Sequence, residues 1–214
     1  MTFAAAVIIG FALGAIPVAV LWGRSRGVDL TRAGSGNPGA ANAYRVLGAR
    51  AGLGVLAADV TKGALAVFSA GLLGGGAATE IAAGAASVAG HVAGPFTRGR
   101  GGKGIATGCG MFLVLAPSAT LVSVTVWTFV FAVSRFVSLA SIVTAIFLPF
   151  VVLLTRRGEA PGAVFWASSA VAALVLFRHR GNIARLLGGR EPRFSLHPEA
   201  GAASPEGKRG VPHE

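Results

Sequence analysis

The 214-residue chain is 53% hydrophobic and only 13% charged, with a mean hydropathy of +0.69. That is too apolar for a soluble domain of ordinary composition and indicates an integral membrane protein. Nineteen basic against 8 acidic residues give a net charge of +11, but the basic residues are scattered among short loops between apolar stretches, which argues against a nucleic-acid-binding face.

Phe3 to Trp22 carries no charge and has about the length needed to cross roughly 30 Å of hydrocarbon. Apolar residues follow Met1 directly, without the basic segment of a cleaved signal peptide. Uncharged runs predict helices at about 3–22, 51–75, 79–92, 104–116, 118–134, 138–155 and 161–177, an all-α polytopic protein with about seven transmembrane helices. The third and fourth are short, so they either tilt or form a re-entrant pair around the loop at 93–103. Gly10/Gly14 and Gly71/Gly75 have the small-xxx-small spacing of close helix contacts, and Asp59 and Lys62, one helical turn apart, are expected to form a structural ion pair facing the bundle interior. Cys109 stands in an apolar run and is read as packing, and as the single cysteine it excludes an internal disulfide or a multi-cysteine metal site. From 194 onward the chain is polar and rich in Pro and Gly, giving one transmembrane catalytic domain over 1–193 and a disordered tail over 194–214.

Loop charge assigns the sides. Five Lys and Arg fall in 23–50, three in 93–103, one in 135–137 and seven after 177, whereas 76–78 and the Pro117 turn have none. The positive-inside tendency then places the N-terminus outside and the C-terminus and basic loops in the cytoplasm, with Arg156 and Arg157 the exception.

Three polar clusters share that cytoplasmic side. The first, Gly34 to Gly48, offers glycine amides, Ser35, Gly36, Asn37, Asn42 and the planar donor fork of Arg45, a set suited to phosphate. The second is Gly90-His91 followed by Arg98 to Gly104, in which Gly101, Gly102, Lys103 and Gly104 stand at a helix N-terminus where free N–H groups favour an anion. It is not a Walker A sequence, because Lys103 is followed by Gly104 rather than Ser or Thr. The third joins Ser134 to Ser138 and Ser141 with Arg178-His179-Arg180-Gly-Asn182, where the flanking arginines favour a neutral imidazole. No Asp stands four residues after His91 or His179, and too few acids are near for a two-metal phosphotransfer site, so no metal or other cofactor is expected.

Several motifs in order resemble one family, the bacterial acyl-phosphate:glycerol-3-phosphate acyltransferases known as PlsY. They are Leu13-Gly-Ala-Ile-Pro17, the Gly34-to-Gly48 loop, Asp59-Val-Thr-Lys62-Gly63, Gly101-Gly102-Lys103-Gly104-Ile-Ala-Thr107, Arg135-Phe-Val-Ser138-Leu-Ala-Ser141, and Arg178-His179 through Asn182 to Gly188 and Glu191. The resemblance implies transfer of a fatty acyl group from acyl phosphate to the 1-hydroxyl of glycerol 3-phosphate, in the bacterial inner membrane with the site towards the cytoplasm. It also implies catalytic roles for Ser35, Arg45, Lys103, His179 and Asn182, substrate-binding roles for Gly36, Asn37, Asn42, Gly101, Gly102, Gly104 and Ser141, and a mainly structural one for Glu191. Ala41 and the Ala93-Gly-Pro-Phe96 stretch depart from the family's usual residues. The alternative is a transporter or channel for an organic phosphate, whose expected internal repeat is not visible because the three clusters differ from one another.

Overall fold

The computed structural model describes residues 1–155 and 162–195, and every regular element among them is helical. The run expected at 3–22 is divided. Helix α1 (Thr2–Ala15) ends before Pro17, which has no amide hydrogen to continue the ladder and holds Ile16 extended at φ −58°, ψ 115°. Helix α2 (Val18–Arg24) resumes beyond it. The Ile16 carbonyl, outside the α-helical ladder, accepts the Val18 N–H at 3.0 Å in a tight turn and also meets Lys62 Nζ at 3.3 Å.

The stretch 23–50, read as loop, contains a further helix, α3 (Ala40–Leu47). Its apolar side joins a small core in which Leu30, Ala43 and Val55 are wholly buried against Ala19, Trp22 and Val46. That core fastens the polar loop onto α4 (Ala49–Leu72). The remaining runs give α5 (Ala77–Ala93), α6 (Ile105–Leu115), α7 (Pro117–Ser134), α8 (Val137–Thr155) and α9 (Ala163–Arg178), followed by a short α10 (Arg180–Leu187). Among the described residues, four segments are long and apolar enough to cross a membrane: Thr2–Arg24, α4, α7 and α8. With 17, 11 and 16 residues, α5, α6 and α9 fall short of the roughly 20 that an upright crossing needs.

Where α1 meets α5, a side chain at Gly10 or Gly14 would run into the backbone of Ala83 or Ser87. The same intimacy joins α4 to α6 at Gly63 and Gly110. Helices in lipid gain little from hiding apolar surface from each other, so close backbone approach supplies the attraction. Gly71 and Gly75 do not serve this purpose: Gly71 faces the Glu80 side chain and Gly75 lies beyond α4 in the turn. The main core packs Val67, Val88, Met111, Phe112, Val152 and Val175. Outside it, Phe68, Leu72, Phe129, Val133, Leu154 and Trp166 are exposed, an apolar outer surface suited to hydrocarbon.

Phe194, counted with the tail, instead returns to the bundle. Its N–H donates to the Arg135 carbonyl at 2.7 Å, and its ring lies 4.7 Å from Tyr44 and 5.4 Å from Phe131. Residues 196–214, and Arg156 and Arg157, lie outside the described residues.

Candidate active site

The first polar loop is organised by one buried side chain. Asn42 is 1% exposed. Its Nδ2 donates to the carbonyls of Leu30 (3.1 Å) and Ala33 (3.0 Å), and its Oδ1 accepts the Ser35 N–H at 2.8 Å. Both N–H donors of that amide and one lone pair of its oxygen are thus spent on loop shape, while Ser35 is exposed at the rim and Asn37 partly so. Gly34 and Gly36 adopt φ of +59° and +69°, a conformation that favours glycine. Asp29 accepts from the N–H and hydroxyl of Thr31 at the exposed start of the loop, away from Asn42. Arg45, in the last turn of α3, is near enough to Lys103 for its charge to act there.

The second loop follows α5 and enters α6. Gly94 and Gly104 turn through positive φ, and the Gly102 N–H donates to the His91 carbonyl at 3.1 Å. From the end of α9, Arg178 Nη2 donates to the Gly101 carbonyl at 2.8 Å. Lys103 then extends to Asn182 of α10, donating to its Oδ1 at 2.6 Å. Burial first, and then the charges of Arg185, Arg178 and Arg45 against the opposing pull of Glu191, bring the Lys103 ammonium down to about 8.

Asn182 passes the chain on. Its Nδ2 donates to Glu191 Oε1 at 2.7 Å, and Arg185 Nε donates to Glu191 Oε2 at 2.7 Å. Burial raises the Glu191 carboxyl, but the nearby Ser138 hydroxyl and the hydrogen bonds from Asn182 and Arg185 outweigh it and leave the group below its ordinary value. Both oxygens are engaged, so Glu191 orients Asn182 and through it Lys103.

His179, 3% exposed, caps α9 at the corner with α10. Its Nδ1 lies 2.8 Å from the Val175 carbonyl oxygen. A carbonyl only accepts, so the proton sits on Nδ1 and Nε2 keeps its lone pair. Burial and then the Lys103 charge push the imidazole down to about 4, so it is neutral near pH 7. Ser141 on α8 is also buried, its Oγ accepting from Trp127 Nε1 at 3.2 Å.

Lys103, Asn182, Arg45 and His179 are therefore linked by contact or charge, and the Gly101–Gly102 turn shares a cavity lining with Pro38 of the first loop. Three further residues belong to this region. Arg178 and His91 grip the glycine loop, and Lys62 holds His91. The sequence places His91 and Arg178 in the polar clusters and Lys62 in a family motif, but marks none of the three as a site residue.

An apolar-surfaced helical bundle whose polar site gathers cations and glycine amides, with its nearest carboxylate fully engaged, defines a membrane-type protein for phosphorylated small molecules. The sequence profile described as glycerol-3-phosphate acyltransferase matches residues 4–189. A glycerol-3-phosphate acyltransferase of Geotalea daltonii is 42% identical over 195 residues, covering 91% of this chain and 99% of that protein. The crystal structure of PlsY (YgiH), an integral membrane glycerol 3-phosphate acyltransferase, superposes in its glycerol 3-phosphate form with a TM-score of 0.84 at 37% identity, covering 91% of this chain and 96% of that one. Its lysophosphatidic acid form gives 0.82 at 36%, covering 92% and 97%. The chain belongs to the glycerol-3-phosphate acyltransferase family, and it is an acyltransferase.

Proposed function

We propose that the chain takes its acyl group from acyl phosphate and delivers it to the 1-hydroxyl of glycerol 3-phosphate at the cytoplasmic face of the bacterial inner membrane. The bundle then spans the bilayer about seven times from an external N-terminus, with 1–193 as the catalytic domain and a cytoplasmic tail after it. The supporting observation is the site's charge inventory: Arg45, Lys103 and Arg178 act on one another beside the Gly101–Gly104 loop, while Glu191 has both oxygens occupied and His179 is neutral. Such a site binds anions well and has no carboxylate free to act as a base.

Acyl phosphate fits that limitation, being an activated donor. The glycerol hydroxyl oxygen attacks the acyl carbon, the carbon–oxygen bond to phosphate breaks, and lysophosphatidic acid and inorganic phosphate result. The hydroxyl proton passes to a substrate phosphate, whose second pKa of roughly 6 makes it the nearest competent acceptor. Ser35, Gly36, Asn37 and Arg45 hold one phosphate-bearing substrate, with Asn42 setting their loop. Lys103 with Gly101, Gly102 and Gly104 holds the other and steadies the tetrahedral oxyanion. His179 offers its Nε2 lone pair as an acceptor to a substrate donor beside the attacking hydroxyl, whose own proton goes to the phosphate, while Asn182 and Ser141 orient the groups around it.

Purified protein given labelled glycerol 3-phosphate with acyl phosphate, acyl-CoA or acyl carrier protein tests the reading. Product is expected with acyl phosphate alone, and Lys103→Ala should lose about 10²- to 10³-fold in turnover without unfolding. Product from acyl-CoA but not acyl phosphate, or near-normal Lys103→Ala turnover, would overturn it.

A further inference from the structure

Three ionisable side chains lie buried together beside the Lys103–Asn182–Glu191 chain. Lys62 and Asp59, one turn apart on α4, have side chains 6% and 5% exposed, and His91 of α5 is 9% exposed at its side chain. Lys62 Nζ stands 2.8 Å from Asp59 Oδ1, 2.7 Å from His91 Nδ1 and 3.3 Å from the Ile16 carbonyl. An ammonium has three N–H bonds, and these acceptors use all of them. His91 Nδ1 is therefore an acceptor, and its ring proton sits on Nε2.

A buried ion pair is a poor way to hold helices together, since apolar residues of similar volume often serve stability as well. What the ammonium does here is fix an imidazole, and that imidazole abuts the glycine loop. A side chain at Gly102 would collide with the His91 ring, meeting Nε2, then Cε1, then Cδ2 as its three nearest atoms. The carbonyl of the same histidine accepts the Gly102 N–H. His91 thus holds Gly102 with both its ring and its backbone, next to the Gly101 carbonyl held by Arg178. Asp59, Lys62, His91, Gly101 and Gly102 line one cavity with Pro38 of the Ser35 loop.

We propose that Lys62, oriented by Asp59 and the Ile16 carbonyl, makes His91 a positioning residue that sets the Gly101–Gly102 turn, and through it Lys103, in the geometry that receives a substrate phosphate. This rests on the reading of the glycine loop as a phosphate-holding element. It assigns work to the Pro17 break as well, because an unbroken helix would not present the Ile16 carbonyl to Lys62.

The test is a kinetic double-mutant cycle on the full chain in detergent or lipid nanodiscs. His91→Asn keeps an acceptor for Lys62 but puts no ring atom against Gly102. KM for one of the two phosphate substrates should rise about tenfold or more with kcat within about threefold, a split that general destabilisation does not give. Gly102→Ala alone should be more severely impaired. Combined with His91→Asn it should be less impaired than the product of the two single effects by about tenfold, because the colliding ring has gone. Folded Lys62→Met should show the same KM shift as His91→Asn. If it does not fold, the cycle decides, since there Lys62 keeps its acceptors. Lys103→Ala run alongside separates the two readings. Near-normal Lys103→Ala turnover removes the phosphate reading of the loop and the brace with it. Impaired Lys103→Ala with wild-type KM in His91→Asn, or with an additive cycle, overturns the brace alone.

Discussion

Burial holds the Lys103 ammonium near 8 while it donates to Asn182, so its charge is complete at neutral pH and lost as pH rises through that value. If the cation binds phosphate, kcat/KM should be level between about pH 7 and 8, fall roughly tenfold per pH unit well above that, and fall on the acid side only as the accepting substrate phosphate protonates at roughly pH 6. Lys103→Arg keeps its charge throughout, so that variant, though slower because a planar fork does not replace a point donor, should lack the alkaline limb. An unchanged limb in Lys103→Arg would assign it to another group. His179, down at about 4, contributes no limb between pH 6 and 8. At this scale the sequence marks which residue types matter but not what they do. Ser35 and Asn42 carry the same signal, yet Asn42 spends its amide on three backbone partners and Ser35 remains at the rim. Nothing short of the folded loop distinguishes a group that builds a site from one that faces it.

Elements are legible in proportion to their length. Each apolar run carries helix, because runs of this length and composition leave the backbone no alternative in hydrocarbon. The eight-residue α3 and α10 are amphipathic rather than apolar throughout, so they form no uncharged run and escape notice among polar neighbours. Phe194 is hidden for the same reason, a single aromatic in a polar stretch whose partners Tyr44 and Phe131 are remote in sequence. Small-residue spacing is informative only where another helix is opposite: Gly10 meets Ala83, whereas Gly71 and Gly75 meet a side chain and a turn. Gly10→Leu should therefore push α1 from α5 and cost about 1–3 kcal/mol, with a lowered melting temperature in detergent. Its activity per folded molecule should persist, as Gly10 does not line the cavity beside the glycine loop. A wild-type melting curve would show that the α1–α5 contact is not the tight one described.

For the whole molecule, the arrangement of charge decides how the bundle sits. The site draws on the 23–50 loop, the glycine loop and the α9–α10 corner, and these segments also hold most of the basic residues that argue for a cytoplasmic face. On the proposed orientation one set of cations would serve two ends, insertion and phosphate binding, and a flipped protein would carry its site to the side without cytoplasmic substrates. In a Cys109→Ser background, a cysteine at exposed Arg100 should resist an impermeant maleimide in intact cells and react once the membrane is opened, while one at exposed Ala77, the first residue of α5, should react from outside. The reverse pattern would place the glycine loop outside. Labelling of both positions from outside would instead mean that α5 does not cross. A helix of 17 residues then pairs with 11-residue α6 as a re-entrant hairpin carrying the glycine loop at its tip, an arrangement in which short helices need no thinning of the bilayer.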